Sequence, residues 1–221
     1  MLTRRQFIKG SLAAGLGTAL PWSLSWQGVL QKAFAQILEK FTNSTNRRSE
    51  WGGITMGTRI SYFNFAAYQA IVYNKAALVL NMLRNILGDE AFFAGIRRYY
   101  ARNRYSAAGS AGFFNAFRDM TTMDLTAFFE PWFDSHLLPE VRITHSLQPA
   151  GEGYRLQCQV TQAGKTFVFP LWIEWRENGR QVRHKVIVDD RSVSFEFRTG
   201  QEPKRIRFNP EKAVPGRFTI H

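Results

Sequence analysis

Tyr68-Gln69-Ala70-Ile71-Val72-Tyr73-Asn74-Lys75 runs directly into Ala76–Leu87, and the reading of this stretch decides the fold. Val72, Ala76, Val79, Leu80, Leu83, Ile86 and Leu87 recur every three or four residues, which predicts one apolar face of an α-helix. Asn74, Asn81 and Asn85 fall on the opposite side. Gly88 is placed to stop the helix and Asp89 to N-cap the next one. Tyr68 and Tyr73 are five residues apart, about 140° around an α-helix. Tyr73 is therefore expected at or near the helix start, where it can reach out of the core.

Three more helices are predicted before His136. One carries Phe92, Phe93, Ile96, Tyr99 and Tyr100 on a single face. The next starts at Ser110 as N-cap and uses Phe113, Phe114 and Phe117. The last starts at Asp124 as N-cap and uses Leu125, Phe128, Phe129, Trp132 and Phe133. Phenylalanine stripes at this spacing form cores far more often than ligand sites. Short loops imply antiparallel neighbours, and Pro131 is expected to kink or end the last helix early.

After Pro139 the period changes to two. Tyr154, Leu156, Cys158 and Val160 alternate with polar residues, and Phe167 to Trp175 is apolar on both faces, as in a central strand. Pro170 predicts a bulge or an unpaired edge there. Asn178-Gly179 predicts a type I′ hairpin. Val193, Phe195 and Phe197 alternate again, and Ile206 with Phe208 makes a short final strand. Six or seven strands imply a small antiparallel sandwich, so the fold class is α+β. The expected organisation is an export signal over 1–35, a linker and loop region over 36–65, a helical block over 66–139 and a β-sandwich over 140–221. Within the second region, 37–41 reads as a helical turn, 42–50 as a polar linker, and 51–59 as a loop or short strand.

The N-terminus supplies the address. Thr3-Arg4-Arg5-Gln6-Phe7-Ile8-Lys9 is a twin-arginine signature. An uncharged run over 10–31 follows, and Ala33-Phe34-Ala35 offers a cleavage site before Gln36. Pro21 and four glycines in the run argue for a signal and against a permanent anchor. The expected location is the periplasm or the exterior, with membrane contact only in transit. Of the 221 residues, 45% are hydrophobic and 14% aromatic, which predicts a packed core. The net charge of +12 comes from arginines scattered over both halves, so a nucleic-acid partner is not expected. A single Cys158 excludes an internal disulfide and reads as a small buried residue.

The A-Y-x4-Y-x-K pattern of Ala67, Tyr68, Tyr73 and Lys75 resembles the zinc aminopeptidases of the aminopeptidase N type. Met82-Leu83-Arg84, Leu87-Gly88-Asp89-Glu90-Ala91-Phe92-Phe93, Arg97, Tyr99, Asp124-Leu125, Phe128-Phe129, Trp132 and Pro139 continue the likeness, which extends over about 51–214. It implies that the helices end a thermolysin-like catalytic domain and that the sandwich follows it. It also implies that Tyr73 donates to the oxyanion of a tetrahedral intermediate, with Tyr68 and Lys75 in support. Asn74 stands where that family often has Glu, and Ala76 where it often has Gly.

The family's zinc motif is HExxH, two histidines one turn apart with the basic Glu between them, followed by a third ligand. It lies upstream of the tyrosine, and counting back from Tyr73 lands in the export signal or before Met1. His136, His145, His184 and His221 all follow Tyr73, and none stands in an HExxH. His184, between Arg183 and Lys185, is expected to be solvated, and His136 to meet the carbonyls that end the fourth helix. No metal ligand and no cofactor is therefore expected in this sequence. The reading is an exported partial homologue of a zinc aminopeptidase, inactive alone. The alternatives are a subunit completing a separately encoded HExxH-bearing metallopeptidase, and a non-catalytic module binding a peptide or protein in the cell envelope.

The export reading has a direct test. Replacing Arg4 and Arg5 by Lys should block translocation, because the pathway reads the guanidinium pair and not charge alone. N-terminal sequencing of the exported form should begin at or near Gln36; a product still starting at Met1 would refute cleavage.

Overall fold

The computed structural model describes residues 33, 36, 52–60 and 64–221. The export signature, Phe34 and Ala35 of the cleavage site, the turn at 37–41 and the linker at 42–50 lie outside the described residues. Ile54–Ile60 is a 3₁₀ segment kinked at Gly57, where a loop or short strand is the sequence expectation.

The tyrosine-bearing helix begins earlier than its periodicity suggests. Its first turn, α1 (Phe65–Tyr68), is capped by the Asn64 side chain, which accepts from the Ala67 amide at 3.1 Å. A π-helical stretch, Gln69–Lys75, follows and passes without a break into α2 (Ala76–Leu87). Tyr73 is thus in the middle of a helix, not at its start. The buried face is also turned relative to the expected one. Leu78, Val79, Met82 and Leu83 are sealed, while Leu80, Ile86 and Leu87 are only partly covered.

Gly88, at φ 84°, ends α2 as expected. Asp89 does not cap α3 (Asp89–Asn103); its carboxylate accepts two bonds from Arg84, at 2.7 and 2.8 Å. Within α3, Phe92 is buried, but Phe93 and Tyr100 point to solvent, so the five-residue face of the sequence reading divides. The buried side closes against α4 (Ser110–Arg118) at Gly95, where a Cβ would come within 2.4 Å of the Phe117 ring. Gly109, not Ser110, is the N-cap of α4. Asp124 accepts from the Thr126 amide at 2.8 Å ahead of α5 (Thr126–Phe129). At Pro131, which lacks an N–H, the α-helix gives way to a second π turn, Glu130–Asp134. The helix therefore widens where the sequence predicts a kink. Phe113, Phe114, Phe129 and Phe133 pack ring on ring, with Phe114 stacked on Phe129 at 4.1 Å.

Seven strands follow: β1 (Glu140–Ala150), β2 (Gly153–Ala163), β3 (Phe169–Glu177), β4 (Arg180–Val188), β5 (Ser192–Thr199), β6 (Lys204–Phe208) and β7 (Arg217–Ile220). They form one sheet of order β5-β2-β1-β7 and another of order β4-β3-β6. β1 and β7 escape the alternation argument, and they pair in parallel, the one departure from an antiparallel sandwich. β3 is central and buried on both faces, as its composition predicts. The bulge lies opposite β6 between Glu174 and Arg176, and Pro170 sits in the part of β3 that β6 does not reach. Asn178 and Gly179 both take positive φ and close the expected two-residue hairpin.

One hydrophobic core runs through helices and sandwich alike. Trp132 joins them: its ring packs 4.8 Å from Phe167, and its indole N–H donates to the Val168 carbonyl at 2.8 Å. Gln162 holds the strand-to-strand loops from inside. Its amide donates to the Phe167 and Asp190 carbonyls and accepts from the Phe167 N–H. Glu174, nearly inaccessible, meets Arg207 at 2.9 Å and Arg183 at 3.5 Å. His184 is half-buried and not simply solvated: it stacks on Trp175 at 4.8 Å and touches Phe197. Burial lowers its pKa, against a smaller opposing pull from Glu177.

Phe128 is completely buried where the helices meet. Phe128→Ala should cost about 3–5 kcal/mol in chemical denaturation, whereas a cost within about 0.5 kcal/mol would mark a surface site.

Candidate functional site

The π turn creates the site. Buried positions Ala67, Ile71, Lys75, Val79 and Leu83 are spaced by four. On an α-helix each step of four overshoots a full turn by about 40°, so the row would drift off the core. Widening the helix over Gln69–Lys75 takes up the excess. A π turn bonds i to i+5, which also brings residues five apart onto one side. Tyr68 and Tyr73 accordingly meet edge to face, with ring centroids 5.4 Å apart and planes at 85°.

The two phenols are joined chemically as well. A hydrogen bond to Tyr73 is the main cause that raises the Tyr68 pKa; desolvation and the neighbouring charge of Tyr73 add to it. A raised value means that the bond favours the protonated phenol. Tyr68 thus stays a protonated phenol, packed against the Tyr73 ring. Tyr73 is 59% exposed, and Phe65 packs on the far side of Tyr68 at 6.2 Å. The pair faces an open cleft of about 490 Å³, lined also by Gln69 and Asn74.

Lys75 is on the other side of the same turn. It is 2% exposed, and its ammonium donates to the Ser135 carbonyl at 2.7 Å, where the second π turn ends. Burial, with a smaller push from Lys165, brings its pKa down to about 8. Lys75 does not line the cleft; it fixes the turn that carries the tyrosines. Sequence reasoning assigns that carbonyl region to His136 and misses Ser135 and Phe65. The spacing of four was the available signal.

Among the described residues, no group of three or more His, Cys, Asp or Glu side chains is placed to hold a metal ion. His145 packs by Phe208, and His184 lies among aromatics. Cys158 is buried, its thiol pushed up to about 12 by desolvation. The residues present do not fit a zinc centre. What the cleft offers is an exposed phenol hydroxyl beside apolar rings, a donor suited to an anionic oxygen.

The described residues thus form a helical block, with a tyrosine pair on a widened turn, set on a β-sandwich. The Peptidase family M1 domain matches residues 22–132, half of the sequence, and the chain belongs to that family. A twin-arginine translocation signal matches residues 1–21, so the chain is exported by that pathway to the periplasm or beyond. No helix among the described residues is long and apolar enough to cross a membrane. Aminopeptidase N of Escherichia coli K12 is 34% identical over 89 residues, 40% of this chain and 10% of that protein. Aminopeptidase N of Lactococcus lactis subsp. lactis is 33% identical over 72 residues, 33% of this chain and 8% of that one. The chain thus spans about a tenth of the length of these curated relatives. In fold it is similar to Legionella pneumophila aminopeptidase A, solved in complex with aspartic acid. The TM-score is 0.60 at 21% identity, covering 73% of this chain and 18% of that one.

The buried lysine gives a pH signature. The folded value of about 8 lies below the ordinary 10.5. Between the two, the unfolded chain binds a proton that the folded one has released, so stability rises with pH. Relative to Lys75→Met, the native protein should gain about 3 kcal/mol from pH 8 to 10.5, read from denaturation midpoints. Cys158, which opposes this above pH 9.0, is common to both proteins and cancels. A flat difference would show that Lys75 is not buried as an ammonium.

Proposed function

We propose that this exported member of peptidase family M1 contributes an oxyanion-binding element to peptide hydrolysis at N-termini and has no such activity alone. The carrying observation is the tyrosine pair. Tyr73 is carried on the π turn, packed edge to face against Tyr68, and is exposed at the open cleft. A donor preorganised in this way stabilises negative charge that develops on a carbonyl oxygen. It cannot generate a nucleophile, and the histidines of this chain are on the sandwich or next to it. The peptide substrate and the groups that activate water are then shared with a separate HExxH-bearing polypeptide. A purely non-catalytic peptide-binding role is the competing reading.

Metal analysis and an aminoacyl-anilide assay on the purified chain decide the first half: no stoichiometric zinc and no release of amine are expected. Adding a family M1 segment that carries HExxH but is truncated before its own tyrosine helix should restore turnover. Tyr73→Phe should remove most of that turnover and leave the complex intact by size-exclusion chromatography. One tightly held zinc with turnover by the chain alone would overturn the proposal. A complex that forms but never hydrolyses would favour the binding role.

A further inference from the structure

From 91 to 118 the sequence holds five arginines and no acidic residue, and the fold gathers them where the sequence pattern suggests scatter. On α3 the residues Phe93, Arg97, Tyr100 and Arg104 follow one another at intervals of four, three and four, a single helical stripe. It lies opposite the buried side that Phe92 and Gly95 press into the core. Every member of the stripe is exposed, with Phe93 at 42% and Tyr100 at 67%. Tyr105, just past the helix end at φ 62°, is 92% exposed. Arg104 lies over its ring at 4.8 Å and donates to its hydroxyl.

Charge pairing separates this surface from an ordinary solvated helix face. Arg84 is met by Asp89 and Arg98 by Asp119, and Arg118 lies near Asp124. Arg97, Arg102 and Arg104 have no acidic partner among the described residues. The nearest acid on the stripe itself is Glu90, two turns before Arg97 at the start of α3. Two unpaired guanidinium groups, Arg97 and Arg104, are thus interleaved with exposed aromatic rings, while Arg102 projects from another side of the helix.

We propose that this face of α3 seats the exported protein peripherally on an anionic phospholipid surface. Guanidinium groups bind phosphate oxygens in pairs. Tyrosine rings settle at the headgroup level, apolar body inward and hydroxyl outward. A helix with cationic and aromatic residues on one exposed side lies in the plane of such an interface. The twin-arginine signal brings the chain across a membrane, so this surface is available where the protein is delivered, and nucleic acid is not the partner. Bound in this way, α3 lies flat on the lipid and the rest of the domain stands off it.

The test is flotation of the signal-free chain with phosphatidylglycerol–phosphatidylcholine vesicles and with phosphatidylcholine vesicles alone. Binding is expected only to the anionic vesicles, and it should weaken with salt. At about five-fold per arginine, replacing Arg97 and Arg104 by Gln should lower affinity about 25-fold. Tyr100→Ala with Tyr105→Ala should weaken it at high salt, where the aromatic contribution remains. The control replaces Arg142 and Arg180, exposed on the sandwich, by Gln with the same change in net charge, and should bind as the parent does. Circular dichroism checks that each variant keeps its fold. Equal loss in the control, binding to phosphatidylcholine alone, or capture of polyglutamate or an oligonucleotide in preference to anionic vesicles would each overturn the proposal.

Discussion

A lysine ammonium shut away from water has to find an oxygen, because burying the charge unpaired costs several kcal/mol or more. Here Lys75 finds the Ser135 carbonyl, and much of the local structure follows. The contact ties the π turn Gln69–Lys75 to the end of the π turn Glu130–Asp134, two wide turns that neither segment would keep in isolation. With Lys75 drawn inward, the extra residue per turn places Tyr68 and Tyr73 together on the outer side. The buried cation and the exposed phenols are therefore two sides of one distortion. π turns of this kind are frequently found at functional sites.

The helical block does not stand apart from the sandwich. Trp132 reaches from the second π turn to Phe167 and Val168, and the same hydrophobic cluster continues from α2 to β6. Gln162 satisfies three backbone groups in the loops beneath that contact. A buried amide with all these partners is worth keeping, since a half-satisfied one would destabilise the junction. The sandwich is thus the base that holds the end of the tyrosine helix, with its own sheet tied by the Glu174, Arg183, Arg207 and Glu211 ion pairs.

Membership of peptidase family M1 does not by itself decide what this chain does, because function resides in sites and not in folds. Within the described residues Tyr68 and Tyr73 are paired on the widened turn, and no group of three or more His, Cys, Asp or Glu is placed to hold a metal. The division suits a protein whose role depends on what it meets after export. The cleft at Tyr73 and the cationic stripe on α3 are separate surfaces that can be occupied independently.

Local residue chemistry determined the change of period after Pro139, the Asn178-Gly179 hairpin, the stop at Gly88, and the core roles of Phe128 and Trp132. Each depends on a residue's own conformational preference or on a short repeat, which neighbours far away in the chain do not alter. Only the tertiary structure decided that the helix widens, that Tyr68 packs edge to face on Tyr73, that Lys75 belongs to the core, that Phe93 faces solvent and that His184 stacks on Trp175. β1 and β7 likewise pair across most of the sandwich sequence. The reason is physical: helix widening and side-chain partnership depend on what lies opposite in space. Ser135 is 60 residues from Lys75 in the chain, a separation that no local periodicity encodes.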